Sequence, residues 1–212
     1  MKWQALLETL RGLNVFESSL LLAGEDSPAE VARQLARWVA SGRLTQLRRG
    51  LYVVAPPFAA APPDPMVLAG LLRSPSYVSL QSALSYHGVI PEAVAAVTSV
   101  TTRRPGRVVT PLGEFHYRYV KRDLFWGYDG LDAGAGHRAY VADAEKALLD
   151  LFWLTPGKLD AHFLKELRMD PGRIDGARLE RHARRSGQPK LIRAAGLTAR
   201  YLQQEHEAEV PR

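Results

Sequence analysis

The sequence predicts an α+β protein in two units, a small helical one that ends in a hairpin and a larger mixed one. Three observations predict it. Residues 2–54 read as three helical stretches followed by two short apolar runs around Arg48-Arg49-Gly50. Residues 55–65, APPFAAAPPDP, hold five prolines and four alanines. Proline fixes φ and donates no backbone hydrogen bond, so this stretch reads as a semi-extended linker. Beyond it, helix-spaced apolar stretches interleave with alternating and β-branched runs over 66–212. The units are placed at 1–54 and 66–212, with the linker at 55–65.

Within the first unit, Trp3, Leu6, Leu7, Leu10 and Leu13 recur at helical spacing over 2–13. A second short helix is predicted over 16–23, carrying Phe16, Leu20 and Leu21. The third begins at Ser27-Pro28, where Ser27 and Glu30 make a capping box and proline takes the first helical position. Gly42 supplies its stop signal. Val31, Leu35, Trp38 and Val39 form its apolar face. Arg33 and Arg37, four apart, share another face with Gln34 beside them. Leu44–Leu47 and Leu51–Val54 then make two strands, with Gly50 able to take the positive φ of a tight turn.

Helix, helix, helix, hairpin in about 55 residues is the order of a winged helix-turn-helix, whose third helix enters the major groove. Arginine supplies a planar, permanently charged donor fork for phosphate oxygens or a guanine edge. On this reading Arg33 and Arg37 contact bases or phosphates, Gln34 pairs with adenine, and Arg43, Arg48 and Arg49 grip the backbone. The alternative is a solvated helix face and a solubilising hairpin tip. The ordered combination of capped helix, two-arginine face and basic hairpin favours double-stranded DNA.

In the second unit, helices are predicted over 66–73, 79–87, 143–154, 160–168, 176–185 and 189–204. Strands are predicted over 97–102, 107–110, 113–120 and 138–141. VTSVTTRR is rich in β-branched residues. GEFHYRYV alternates, with Phe115, Tyr117 and Tyr119 on one face and His116, Arg118 and Val120 on the other. Asp143 is a candidate cap for the 143–154 helix, with Glu145 in its first turn. The last eight residues, EHEAEVPR, are expected to fray.

Charge is unevenly distributed. The net charge is +6 over 212 residues. Residues 61–172 balance at twelve Lys/Arg against twelve Asp/Glu, while 173–200 carry eight against two. A polyanionic partner fits this pattern. Arg103, Arg104, Arg181, Arg184, Arg185, Lys190 and Arg193 are candidates for a second basic surface, with a solvated helix pair as the alternative. There is no cysteine, which excludes disulfides, thiol chemistry and zinc–cysteine sites. No apolar run approaches the ~20 residues of a membrane span, and no secretory pattern opens the chain, so a cytoplasmic protein without a membrane partner is expected.

Candidate catalytic chemistry is thin. The histidines at 87, 116, 137, 162, 182 and 206 form no HxxxH, HxH or HExxH, so no metal site and no cofactor are expected. Ser79, Ser82, Ser85 and His87 share a helix rather than a nucleophile elbow. Ser79 reads as a helix cap, and Tyr86 and His87 as packing residues. Glu145-Lys146 raises a metal-dependent nuclease, because acidic and lysine groups together hold Mg²⁺ and activate water. Their adjacency on a helix, after Ala144, favours a capped, salt-linked helix start. No catalytic residue is assigned. A regulator whose second unit senses a ligand is a further alternative.

Five runs carry a resemblance. GRLTQLRRGLYVV (42–54), YVSLQSALSYHGVI (77–90), VTSVTTRR (97–104), GEFHYRYVKRDLFWGY (113–128) and VADAEKALLDLFWL (141–154) occur in that order. In these runs the chain resembles the AbiEi family, the antitoxin and regulator component of type IV toxin–antitoxin (abortive infection) systems. The resemblance implies an N-terminal winged helix that binds inverted repeats in its own promoter and represses it. It also implies a C-terminal domain that counteracts a nucleotidyltransferase toxin without forming a stable complex with it.

Overall fold

The structure, a computed structural model, describes residues 1–22, 27–59, 61–92, 94–134 and 136–209. Its first elements are α1 (Trp3–Leu10), β1 (Val15–Glu17), a 3-10 turn (Ser18–Leu21), α2 (Pro28–Ala40), β2 (Leu44–Arg48) and β3 (Leu51–Val54). The strands form a three-stranded antiparallel sheet in the order β1–β3–β2. This corrects the helix expected over 16–23. Val15 and Phe16 face Val53 and Tyr52 across β3, and the Phe16 and Tyr52 rings stack 5.9 Å apart. Pairing with a strand some 35 residues away overrides local helix spacing. Residue 23 of that expected helix lies outside the described residues.

α2 forms as its sequence dictates. Ser27 Oγ accepts from the Glu30 N–H, and the Glu30 carboxylate accepts from the Ser27 N–H, which closes the capping box. Val31, Leu35 and Trp38 are buried against Leu6, Leu10, Phe16 and Tyr52. Each buried leucine contributes roughly 1.5–3 kcal/mol over an exposed one. Gly50 takes a φ of +82° at the hairpin turn, as expected of it.

Residues 55–65 do not stand off as a spacer. Phe58 packs edge-on against Trp3, with centroids 5.1 Å apart, and Asn14 Nδ2 donates to the Ala61 carbonyl. The segment is folded back on α1; Ala60 lies outside the described residues. The larger hydrophobic cluster also takes in Val15, Leu47, Leu51 and Val53 from before it. One face of the small sheet therefore shares a core with the larger, C-terminal part of the chain.

That part contains α3 (Pro65–Leu72), β4 (Ser76–Val78), α4 (Leu80–Tyr86), β5 (Val97–Thr101), β6 (Gly106–Thr110), β7 (Gly113–Tyr119), β8 (Tyr128–Asp132), β9 (Arg138–Ala142), α5 (Ala144–Leu154), α6 (Ala161–Glu166), α7 (Gly176–Ser186) and α8 (Pro189–Glu209). Six strands form one mixed sheet in the order β6–β7–β5–β4–β9–β8. The class is α+β, as expected. β4 and β8 add to the expected strands. β4 is three residues long, and β8 reads YDGLD, so neither shows a period of its own. Phe115 and Tyr117 are buried as the alternation requires, but Tyr119 is 49% exposed at the strand end. Of the last eight residues, 205–209 continue α8 and 210–212 lie outside the described residues. Among the described residues, no helix is long and apolar enough to cross a membrane.

Two tyrosines are sealed in this core. Tyr77 and Tyr117 are each 1% exposed, and the Tyr117 hydroxyl donates to the Ala69 carbonyl at 2.7 Å. Burial raises both phenols above the ordinary value, with Asp150 adding to the rise at Tyr77. Their contribution to stability is therefore complete below about pH 10 and lost as the pH rises through and beyond it. A 295-nm titration should show at least these two phenols ionising only as the protein unfolds. Complete ionisation of the folded protein would contradict their burial.

Candidate nucleic-acid interface

α2 buries one face, and the opposite face is charged. Arg33 and Arg37 are exposed and Gln34 is half-buried. Among the described residues neither arginine side chain has a hydrogen-bond or ion-pair partner. Their donors are available to an external acceptor, and Gln34 stands between them in sequence. In the hairpin, Arg49 is exposed, and its backbone carbonyl accepts from Arg48 Nη1 at 3.1 Å.

Two of the expected phosphate-gripping side chains are otherwise engaged. The Arg43 guanidinium lies over the rings of Trp3 and Phe58, 5.5 and 5.9 Å from their centroids. Arg48 Nη2 donates to the Glu17 carboxylate and to the Leu71 carbonyl, both at 2.9 Å. Arg48 therefore reaches back across β1 to the end of α3. The candidate interface contracts to Arg33, Gln34, Arg37 and Arg49.

The side chains of four of the seven candidates for the second basic surface have internal partners, two of them carboxylates. Arg181 lies 3.8 Å from Asp175, and Arg184 pairs with Glu180 at 2.8 Å. The Arg185 guanidinium stacks on Trp126 at 4.3 Å. Lys190 Nζ donates to the carbonyls of Trp153 and Thr155. Of this group Arg103, Arg104 and Arg193 are exposed and have no side-chain partner among the described residues. The Arg104 carbonyl accepts from Arg73. Eight basic residues over 173–200 thus overstate the free charge of that segment.

The residues behind the nuclease alternative belong to the core. Lys146 and Asp150 form an ion pair, one turn apart on α5, and each is 2% exposed. Lys146 Nζ also donates to the Tyr77 hydroxyl at 2.8 Å. The Tyr77 and Ser79 hydroxyls donate to Asp150 Oδ2 at 2.9 and 2.8 Å. Ser79 holds the cap position of α4 but makes no side-chain cap, because its hydroxyl is committed to Asp150. Burial pushes the Asp150 carboxyl up and the Lys146 ammonium down, and each partner opposes the other's shift. Glu145 accepts from the Asp175 N–H at 2.9 Å and lies 3.6 Å from Arg178. Among the described residues, no group of three or more acidic or histidine side chains could hold a metal ion.

Gly127 makes this cluster fit. Its φ is +75°, and a Cβ there would stand 2.9 Å from Lys146 Cγ. Asp143 caps α5 through the Lys146 N–H, and its other oxygen accepts from Arg178 and His182. The expected cap is present, with partners from α7 that local sequence does not reveal.

No protein-family model matches the chain, and no curated protein matches it. Among solved structures, the crystal structure of the RV2827C protein from Mycobacterium tuberculosis is similar, with a TM-score of 0.50 at 18% identity. The match covers 98% of this chain and 81% of that one. At this identity the likeness carries the fold alone.

Proposed function

We propose that the protein is a DNA-binding transcriptional autorepressor that doubles as an AbiEi-type antitoxin. One observation carries the DNA-binding half. α2 is capped at Ser27, buries Val31, Leu35 and Trp38, and turns the Arg33 and Arg37 side chains outward with no side-chain partner among the described residues. The order α1, β1, 3-10 turn, α2, β2, β3, with the sheet ordered β1–β3–β2, suits a winged helix-turn-helix. In it α2 enters the major groove and the β2–β3 hairpin is the wing. The partner is double-stranded promoter DNA with inverted repeats.

The antitoxin half rests on the five AbiEi-like runs over 42–154. In it the larger part counteracts a nucleotidyltransferase toxin in the cytoplasm without a stable complex. A gel-shift assay of the full chain on its own promoter tests the first half. Co-expression with the nucleotidyltransferase of the same operon tests the second. Loss of promoter binding in an Arg33→Ala/Arg37→Ala variant that still protects cells supports two separable roles. Loss of both together, in a folded variant, argues against them.

The wing makes a sharper expectation. Arg49→Ala should lower the salt slope of promoter binding by about 0.9, the share of one phosphate contact. Arg48→Ala should lower it by less, because Glu17 and the Leu71 carbonyl already hold that guanidinium. Equal losses would mean that Arg48 leaves Glu17 when DNA binds.

A further inference from the structure

We propose that the cleft that α3 and the segment after it form with Arg48 of the hairpin and the outer strands β8 and β9 binds a nucleoside monophosphate. Its base lies against Tyr128 and Tyr140, and its phosphate sits between Arg138 and Arg48. The cleft has a volume of about 750 Å³, inside the ~300–1,000 Å³ range of small-molecule sites. Two guanidinium groups and one carboxylate, Glu17, line it together with Phe125, Tyr128 and Tyr140.

The alternation of β9 builds the far wall. Ala139 and Val141 enter the core, while Arg138 and Tyr140 stay exposed on the other face. Gly130 lies opposite Tyr140 on β8. A Cβ there would stand 3.3 Å from Tyr140 Cε1 and 3.5 Å from Arg138 Cδ, so glycine lets both side chains lie close to the sheet. The Arg138 side chain has no hydrogen-bond or ion-pair partner among the described residues. Asp132, opposite it in register, accepts instead from the Gly134 N–H. All the donors of a planar fork are thus unused beside an exposed aromatic ring, the pairing that suits a phosphate next to a base.

The aromatic floor is held rigid. Tyr128 stacks on Tyr77 with centroids 4.4 Å apart and 18° between planes, and meets Tyr140 edge-on at 6.1 Å. The Tyr77 hydroxyl is fixed in turn by Lys146 and Asp150. On the near wall, Arg48 already holds a carboxylate oxygen of Glu17. That pair is 40% and 50% exposed, so water competes for it and its attraction is weak. A phosphate oxygen can take the place of the Glu17 carboxylate. Arg138, Tyr128 and Tyr140 lie outside α2 and the hairpin, and only Arg48 is common to the cleft and the wing, so Arg138→Ala and Tyr140→Ala test the cleft without touching the DNA-facing residues.

Calorimetric titration of the full chain with AMP, adenosine and inorganic phosphate tests this. AMP should bind at least about tenfold more tightly than either fragment, because only AMP engages both rings and guanidinium groups. Arg138→Ala should weaken AMP about tenfold and leave adenosine unchanged, and Tyr140→Ala should weaken AMP and adenosine alike. Both side chains are exposed, so the variants keep the wild-type fold, which circular dichroism checks. No saturable AMP binding up to roughly 1 mM, AMP binding indifferent to Arg138→Ala, or phosphate binding as tight as AMP would each overturn the proposal.

Discussion

Replacing Asp150 by alanine is expected to destabilise the protein by about 3–5 kcal/mol, the cost of breaking a buried ion pair on one side. The carboxylate accepts from Lys146, Tyr77 and Ser79. Its removal strands a lysine that is 2% exposed and leaves two hydroxyls without their acceptor. Each buried unsatisfied polar group adds about 1–3 kcal/mol. Asp150→Asn keeps an acceptor and should cost less. Combining Asp150→Leu with Lys146→Met removes both charges, and should cost less than Asp150→Ala despite the two remaining hydroxyls. Urea midpoints at constant m-value measure all three. An Asp150→Ala midpoint within error of wild type would contradict a sealed network. The result bears on function as well, because Tyr77 supports Tyr128 at the floor of the nucleotide cleft.

The second large effect concerns DNA. Arg33→Ala with Arg37→Ala should weaken promoter binding strongly at physiological salt. An arginine on a base edge carries about 1–3 kcal/mol of discrimination, so two together carry roughly 2–6 kcal/mol. An arginine on phosphate instead removes about 0.9 of salt slope. The two roles separate in one experiment. Loss of preference for the promoter over scrambled duplex at unchanged slope means base contacts. A slope lower by up to about 1.8 with preference kept means phosphate contacts. Neither side chain supports the fold, since both point away from Val31, Leu35 and Trp38, so the thermal midpoint should stay within a few degrees of wild type.

What the chain discloses before folding depends on how local the cause is. Ser27-Pro28 with Glu30 announces α2, because a capping box is completed within four residues. The alternation of GEFHYRYV announces β7, whose face is set by its own period. β1 is different. Val15-Phe16-Glu17 is three residues long, too short to show a period of its own, and is fixed as a strand by β3 beside it. β8 owes its state in the same way to β9.

The candidate site divides along the same line. The outward face of α2 follows from helical spacing alone. The capture of Arg48 by Glu17 and of Arg43 by Trp3 and Phe58 depends on tertiary contacts, so neither is visible in a string of basic residues. Lys146 and Asp150 are legible as an i,i+4 pair, but their burial under Tyr77 and Ser79 is not. Arg138 and Tyr140 carry no motif, and they gain meaning only when Gly130, Tyr128 and the hairpin close a cleft around them.

The most direct test of DNA recognition is the affinity of the full chain for its own promoter repeats against a scrambled duplex of equal length and composition, at one physiological salt concentration. The reading of α2 as a recognition helix predicts a preference of at least about a thousandfold, the lower end of the range for specific regulators. Equal affinity for the two duplexes would contradict it.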